Sequence, residues 1–477
     1  MKYLGPTDIR WLLSGRGVPA SEPSPTRSDR GLLVRTLPAW PLVLPFAGYL
    51  VGWALGLGDM IWPLFAVVMM LSWVGMSNLR LPPVLSLWAL FILWCAVTLV
   101  MTDTTGRFIG ALFRLVLYAS AGILFIHTCN SSRRFTLRVL ASTMTWHLMA
   151  MTIGGYLGIL APELQIRTPL ASIVPGGLLS NEVIHDMVIR RVTQWNADSW
   201  VATAPRPSAP FLYTNTWGNV YSMVLPLALL NVSVARQRWR RIATVLIAAA
   251  SVVPAAATLN RGMLIGLGVV VAWVALIQLR NGRYGVVAAG AVAAGGAGLV
   301  WFGSPAARSL EQRLAVSAST SDRFELYRLT ATAALESPLL GYGSPRPSPH
   351  AWLPSLGTQG QFWLLMYSHG FIGLGLFIAF FAVVLVKAWR RTDLAGAVAG
   401  GAIAATLVEM LFYGMTTGLM VSMLAAALVV RSDLPADGDE TRRFSARLSR
   451  AAIIDNEGFK KKKRRLRDSG PVADAPE

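Results

Sequence analysis

Charge is scarce in this chain, and negative charge is scarcest. Only 14% of the 477 residues are Asp, Glu, Lys or Arg, with 24 acidic residues against 43 basic ones. Soluble domains carry roughly a quarter charged residues, so a chain that is water-facing throughout is excluded. Cysteine is nearly absent. Cys95 lies inside one apolar run and Cys129 at the end of another, which leaves no disulfide framework and no metal-ligand spacing. No metal site and no cofactor is expected. The short charged-then-apolar layout of a cleaved signal peptide is also missing. Residues 1–36 are polar, with Arg10, Arg16, Arg27, Arg30 and Arg35 among Ser and Pro, and read as a disordered cytoplasmic tail.

What the chain has instead is apolar length. Hydrophobic residues make up 54% of it, and the mean hydropathy is +0.51. They collect in runs of about 17–25 residues, the length at which a helix crosses the hydrocarbon core. The candidate spans are 38–57, 61–77, 83–101, 108–128, 138–160, 217–234, 242–258, 262–279, 284–303, 361–386, 395–412 and 414–431. The expected fold is an all-α polytopic membrane protein of about twelve transmembrane helices. This membrane domain covers residues 37–431, and a basic cytoplasmic tail follows at 432–477.

Charge orients these spans. Arg80, then Arg133/Arg134/Arg138, then Arg236/Arg238/Arg240/Arg241, then Arg280/Arg283, then Lys387/Arg390/Arg391 fall on alternate loops. By the positive-inside rule those loops are cytoplasmic. The run "KKKKRRLR" at Lys460–Arg467 agrees, and an even span count puts both termini in the cytoplasm. The expected location is the cytoplasmic (inner) membrane. Because the net charge of +19 sits in short loops and tails, it marks retention during insertion and argues against nucleic-acid binding. The other side receives two long loops, 161–216 and 304–360, expected to carry short helices and, by their length, function. The Gly/Ala-rich stretches 284–303 and 395–406 suit close helix packing.

Between the two long loops, "ATLNRGMLIGLG" (257–268) places Arg261 on the outer side, against the charge bias. In the second loop, "SDRFELYRLTATAALESPLLGYGS" offers Asp322 as a helix cap with Glu325 three residues on. Pro338 should stop that helix, and glycines 341 and 343 should open a turn. Arg323 and Tyr327, four residues apart, share a face. An ordinary amphipathic helix resting on the bilayer also satisfies this spacing. The first loop is apolar enough to lie at the surface, with Arg190 and Arg191 near lipid phosphates. Asn215 and Trp217 suit sugar contact, and Trp217 equally suits an interfacial anchor. Glu409 and Arg114 are intramembrane charges, either functional or paired with each other.

The outward "NRG" resembles the "SRG" element of the O-antigen ligase and polymerase family of bacterial membrane glycosyltransferases. "SDRFELYRLTATAALESPLLGYG" is similar to that family's "R…W…A…PLLGxG" segment, with Tyr327 in the usual Trp position. "FLYTNTWGNVYSMVLPLAL" (211–229) resembles its Asn-containing helix start after the first long loop. "GTQGQFWLLMYSHGFIGLGLF" (357–377) resembles "GSHNxYLxxxxxxGxxGLxxF". The resemblance covers residues 205–390, in order.

The resemblance implies transfer of a glycan from a polyprenyl-diphosphate-linked donor to a glycan or lipid acceptor outside the membrane. Membrane lipids are then further partners. Arg261 and Arg323 match the family's diphosphate-binding arginines, and a guanidinium fork suits phosphate oxygens. Asn215, Trp217, Tyr327 and Arg191 are candidate sugar or lipid contacts. The family's ligases carry a histidine, proposed to activate the acceptor hydroxyl, where this chain has Gln359. An amide is no general base near neutral pH. His350, Asp322 and Glu325 are the alternatives for proton transfer, against solvation for His350 and capping for the two acids. His369 lies deeper in its helix and suits packing. Two other classes fit the same layout: a transporter or lipid-linked saccharide flippase, and a catalytically silent relative serving as a scaffold.

Overall fold

The computed structural model describes residues 37–431, except 77–78, 132–133, 180–181, 195–204, 286, 289, 292–294 and 297–318. Both expected tails, 1–36 and 432–477, and most of the predicted span 284–303 lie outside the described residues. The rest is mostly helical. In chain order the helices are α1 (Trp40–Ala47), α2 (Tyr49–Leu55), α3 (Ile61–Trp73), α4 (Leu85–Val97), α5 (Thr105–Asn130) and α6 (Leu137–Leu160). In the first long loop come α7 (Gly176–Leu179) and α8 (Glu182–Val188), followed by α9 (Thr214–Val234), α10 (Arg238–Ala257) and α11 (Arg261–Arg280). Then follow α12 (Ser319–Glu336), α13 (Gln361–Trp389), α14 (Leu394–Glu409) and α15 (Thr417–Val430). The first loop also holds two small antiparallel ribbons that the all-α expectation did not include. One pairs β1 (Gln165–Arg167) with β2 (Ile189–Arg191), the other β3 (Thr193–Gln194) with β4 (Arg206–Pro207).

Among the described residues five helices are long and apolar enough to cross a membrane: α5, α9, α10, α11 and α13. The expectation of about twelve such helices is not met. Its first span, 38–57, divides into α1 and α2 at Gly48, with Pro45 inside α1. Those at 61–77, 395–412 and 414–431 contain helices of 13, 16 and 14 residues. The helix α6 is continuous over 24 residues but is lined with buried Thr143, Thr145, His147 and Thr152, which lower its hydropathy. A count of apolar residues detects burial in protein as readily as burial in lipid, and here the bundle interior accounts for part of it.

Small residues and caps set the packing. The side chain of Thr104 accepts from Arg107 N at the start of α5, and that of Asp393 from Gly396 N at the start of α14. Every residue of α14 from Ala395 to Thr406 is buried, as its composition predicts. At Gly401 a Cβ would sit 3.2 Å from the Val270 backbone, so glycine lets α14 lie directly against α11. A large aromatic cluster around Trp88, Phe91, Phe377, Phe380 and Phe381 joins α4 to α13.

The helix ends gather into two sets. At one, Arg138 Nε donates to Val234 O at 3.0 Å, Arg241 Nε to Ala235 O at 2.8 Å and Arg431 Nη2 to Phe135 O at 3.0 Å. Arg280 likewise donates to the Trp389 carbonyl there. The predicted cytoplasmic arginines thus share one end of the bundle. The other end carries the starts of α9, α11 and α13, the end of α14, and the described parts of both long loops, tied by Asn260 Nδ2 to Thr214 O (3.2 Å) and Gln361 N to Tyr413 O (2.8 Å).

Candidate functional site

At the end away from the basic loops lies a cleft of about 390 Å³. Leu259, Asn260, Arg261 and Ile265 line it from α11 and its approach, and Arg323, Phe324 and Tyr327 from α12. Arg206, Asn215, Phe412 and Tyr413 complete the wall. The volume suits a small polar ligand group of several rings or a diphosphate with a sugar, since ligand pockets run from about 300 Å³ upward. Among the described residues, three of the lining side chains are guanidinium groups and none is a carboxylate. The cleft therefore favours anions.

Local backbone builds this preference in. Arg261 is the first residue of α11, whose unpaired N–H groups and dipole favour negative charge. Its N-cap, Asn260, makes no side-chain cap because that side chain is used elsewhere: Nδ2 donates to Thr214 O, and Oδ1 accepts from the Tyr413 hydroxyl. Leu259, just before, has φ +51° and is the only non-glycine residue with positive φ among the described residues. That conformation costs about 1–2 kcal/mol. It turns the chain so that Asn260 faces inward while Arg261 stays exposed.

The second loop brings the matching arginine. On α12, Arg323 and Tyr327 lie one turn apart and both face the cleft, as their spacing predicts. Tyr327 stacks on Trp363 of α13, ring centroids 4.3 Å apart and planes within 8°. Partial burial pushes its hydroxyl pKa up. Leu326 on the next face joins Leu356 and Tyr367 in a small apolar cluster. So α12 is docked on the bundle, not simply laid on a bilayer. After it, Gly341 (φ +66°) and Gly343 (φ +70°) form the predicted turn, pressed so closely on Tyr367 O and Thr98 O that only glycine fits.

Several predicted residues fall elsewhere. Trp217 is fully buried, stacked on Tyr221, and its Nε1 donates to Met151 O at 3.4 Å, so it is neither a sugar contact nor an anchor. Asn215 does reach the cleft. The two are about 200° apart on a helix, which sends them to opposite faces. Arg191 is exposed on β2, outside the cleft lining, and Arg190 is 3% exposed, donating to Asp186 O at 3.2 Å instead of facing lipid. Asp322 does not cap α12, because the helix begins three residues earlier at Ser319; its side chain is not among those described. Glu325 pairs with Arg328 at 2.6 Å, which pulls its carboxyl pKa down. His350 stacks on Trp352 and Gln359 is half-buried, and neither lines the cleft. His369 is the packing residue expected, with Nδ1 2.6 Å from Thr98 Oγ1. Arg114 and Glu409 do not pair: Arg114 donates to Ser344 Oγ at 3.4 Å, and Glu409 accepts from Asn219 and Ser222.

Sequence reasoning missed Arg206, Asn260, Phe412 and Tyr413. The available signal was Arg206 in "PRP", a further cation in the first long loop, close in sequence to Asn215. Its Nε donates to Thr258 O at 2.8 Å, which fixes the first loop against the start of α11. Tyr413 carried no signal, since 153 residues separate it from Asn260. No protein-family model matches this chain, and comparison with curated proteins finds no match.

Proposed function

We propose that this chain transfers a glycan from a polyprenyl-diphosphate-linked donor to a glycan or lipid acceptor at the outer face of the cytoplasmic membrane. The observation that carries this reading is the convergence of Arg206, Arg261 and Arg323, from three separate segments, on one cleft with no carboxylate among its described lining residues. A departing lipid diphosphate gathers charge on its bridging oxygen, and preorganised guanidinium groups meet that charge. Asn215 and Tyr327 supply a hydrogen-bonding amide and a ring face for sugar. The apolar helices keep the cleft at the membrane boundary, where a lipid-linked donor presents its headgroup. A transporter or flippase would need a polar route past the cleft floor, but there Gly262 and Gly266 of α11 are packed against Tyr413 and Glu409.

Replacing Arg261 or Arg323 with Ala should lower product formation by about 10²–10³-fold, the effect of removing one transition-state donor. Lipid-linked donor should accumulate in the same cells, as read by mass spectrometry of extracted lipids. Normal envelope glycan with no accumulated lipid in both variants would sink the proposal.

A further inference from the structure

Glycosyl transfer to a hydroxyl releases a proton, and the cleft holds no obvious base for it. Among the described residues its lining has no histidine and no carboxylate. Tyr413 is the lining group that leads inward. It is 5% exposed, and its hydroxyl donates to Asn260 Oδ1. It also lies against Gly262 so closely that a methyl there would collide with it.

Four residues before it, Glu409 is fully buried. Its Oε2 accepts from Asn219 Nδ2 at 2.7 Å and from Ser222 Oγ at 2.9 Å. Its Oε1 has no partner. That free oxygen faces Gly266, where a methyl would collide with it too. Gly262 and Gly266 are one turn apart on α11. The phenol oxygen and Oε1 therefore rest against the same face of α11. A carboxylate in an apolar bundle with one oxygen unsatisfied is expensive to maintain and is the usual mark of a functional group.

We propose that Glu409 receives the acceptor's proton, relayed from the cleft by the Tyr413 hydroxyl. This rests on the glycosyl-transfer reading above. The acceptor O–H bond breaks and its proton passes to the Tyr413 oxygen, while the phenol's own proton passes on to Glu409 Oε1. The acceptor oxygen bonds to the anomeric carbon. That carbon's bond to the phosphate oxygen breaks, and the electron pair leaves with the diphosphate, held by Arg261 and Arg323. Asn260 orients Tyr413 between turnovers.

The test measures transfer by purified full-length protein, using lipid-linked glycan extracted from cells that carry the Arg261→Ala variant. Binding of farnesyl diphosphate is measured separately. Glu409→Gln and Tyr413→Phe, both nearly isosteric, should each slow turnover by about 10²–10⁴-fold, the range for a lost acid–base group. Both should hold farnesyl diphosphate within twofold of the native chain. Native protein should lose rate on the acid side of its pH profile, Glu409→Asp should keep that limb with its midpoint moved, and Glu409→Gln should lack it. Native turnover in Glu409→Gln, or farnesyl diphosphate binding weakened as much as turnover, would overturn the relay. If Glu409→Gln fails to fold, Tyr413→Phe and Glu409→Asp decide, and a native pH profile in both overturns the relay. Arg261→Ala that neither accumulates lipid-linked glycan nor loses farnesyl diphosphate affinity would instead remove the transfer reading itself.

Discussion

At Gly266 an added methyl would meet Glu409 Oε1 and come within 2.9 Å of Ser222 Cβ, and no backbone freedom is involved because the residue is helical. Gly266→Ala should therefore destabilise the bundle by about 1–3 kcal/mol, the usual effect of overpacking. A lower thermal midpoint in detergent would register it, and an unchanged midpoint would mean that the Glu409 side chain has room to withdraw. Arg261 poses a finer question. Lysine keeps the charge but loses the planar fork, so Arg261→Lys should weaken farnesyl diphosphate binding by about tenfold if two phosphate oxygens are gripped together. Equal affinity would mean that a point charge suffices. At this scale the sequence was informative where a residue broke a pattern. Arg261 stood against the charge bias and Glu409 stood in an apolar run, whereas Asn260 and Tyr413 break no pattern and gain their roles only by meeting across the fold.

Helix α12 shows how an element acquires a position that its own pattern leaves open. Its spacing put Arg323 and Tyr327 on one face, yet the same spacing fits a helix adrift on a bilayer. What fixes it is the Tyr327–Trp363 stack and the contact of Leu326 with Leu356 and Tyr367. Trp363→Ala should remove about 0.5–1.5 kcal/mol of ring stacking beyond the lost area. Amide exchange over 319–336 should quicken while α14 stays protected, and unchanged exchange would locate the anchor elsewhere. The other fixed point is Gly370, which interrupts α13 at φ +64° where a Cβ would meet Leu339 O. That break admits the "PLLGYG" turn against Tyr367 and Ser368, through Tyr342 N to Tyr367 O (2.9 Å) and Gly343 N to Ser368 O (2.8 Å). Helix ends were the least legible feature. Pro45 and Gly48 divided the first predicted span, and in α6 the polar lining that faces protein offset the hydropathy that marks a span.

Across the whole molecule, the two sets of helix ends differ in charge and in what they can bind. One gathers Arg138, Arg241, Arg280 and Arg391, each donating to a backbone carbonyl that closes a helix end, and Arg431, which donates to Phe135 O in the turn before α6. Cations at helix C-termini are stabilised there by the dipole. The other end has the cleft, with Arg261 at a helix N-terminus, where a cation is disfavoured until an anion joins it. The charge pattern along the sequence anticipated this division, because insertion bias and carbonyl capping place arginine at the same ends. If the cleft faces outward, Thr358 and Arg390, both exposed and at opposite ends, should differ in access. Single cysteines at these positions, in a chain with Cys129→Ala and with Cys95 left buried, provide the test. A membrane-impermeant maleimide added to intact cells, with the outer barrier opened, should label Thr358→Cys at once. Arg390→Cys should react only after the cytoplasmic membrane is permeabilised. The reverse pattern would put the arginine cleft in the cytoplasm, where the same guanidinium cluster would meet soluble phosphates and not a donor presented at the outer face.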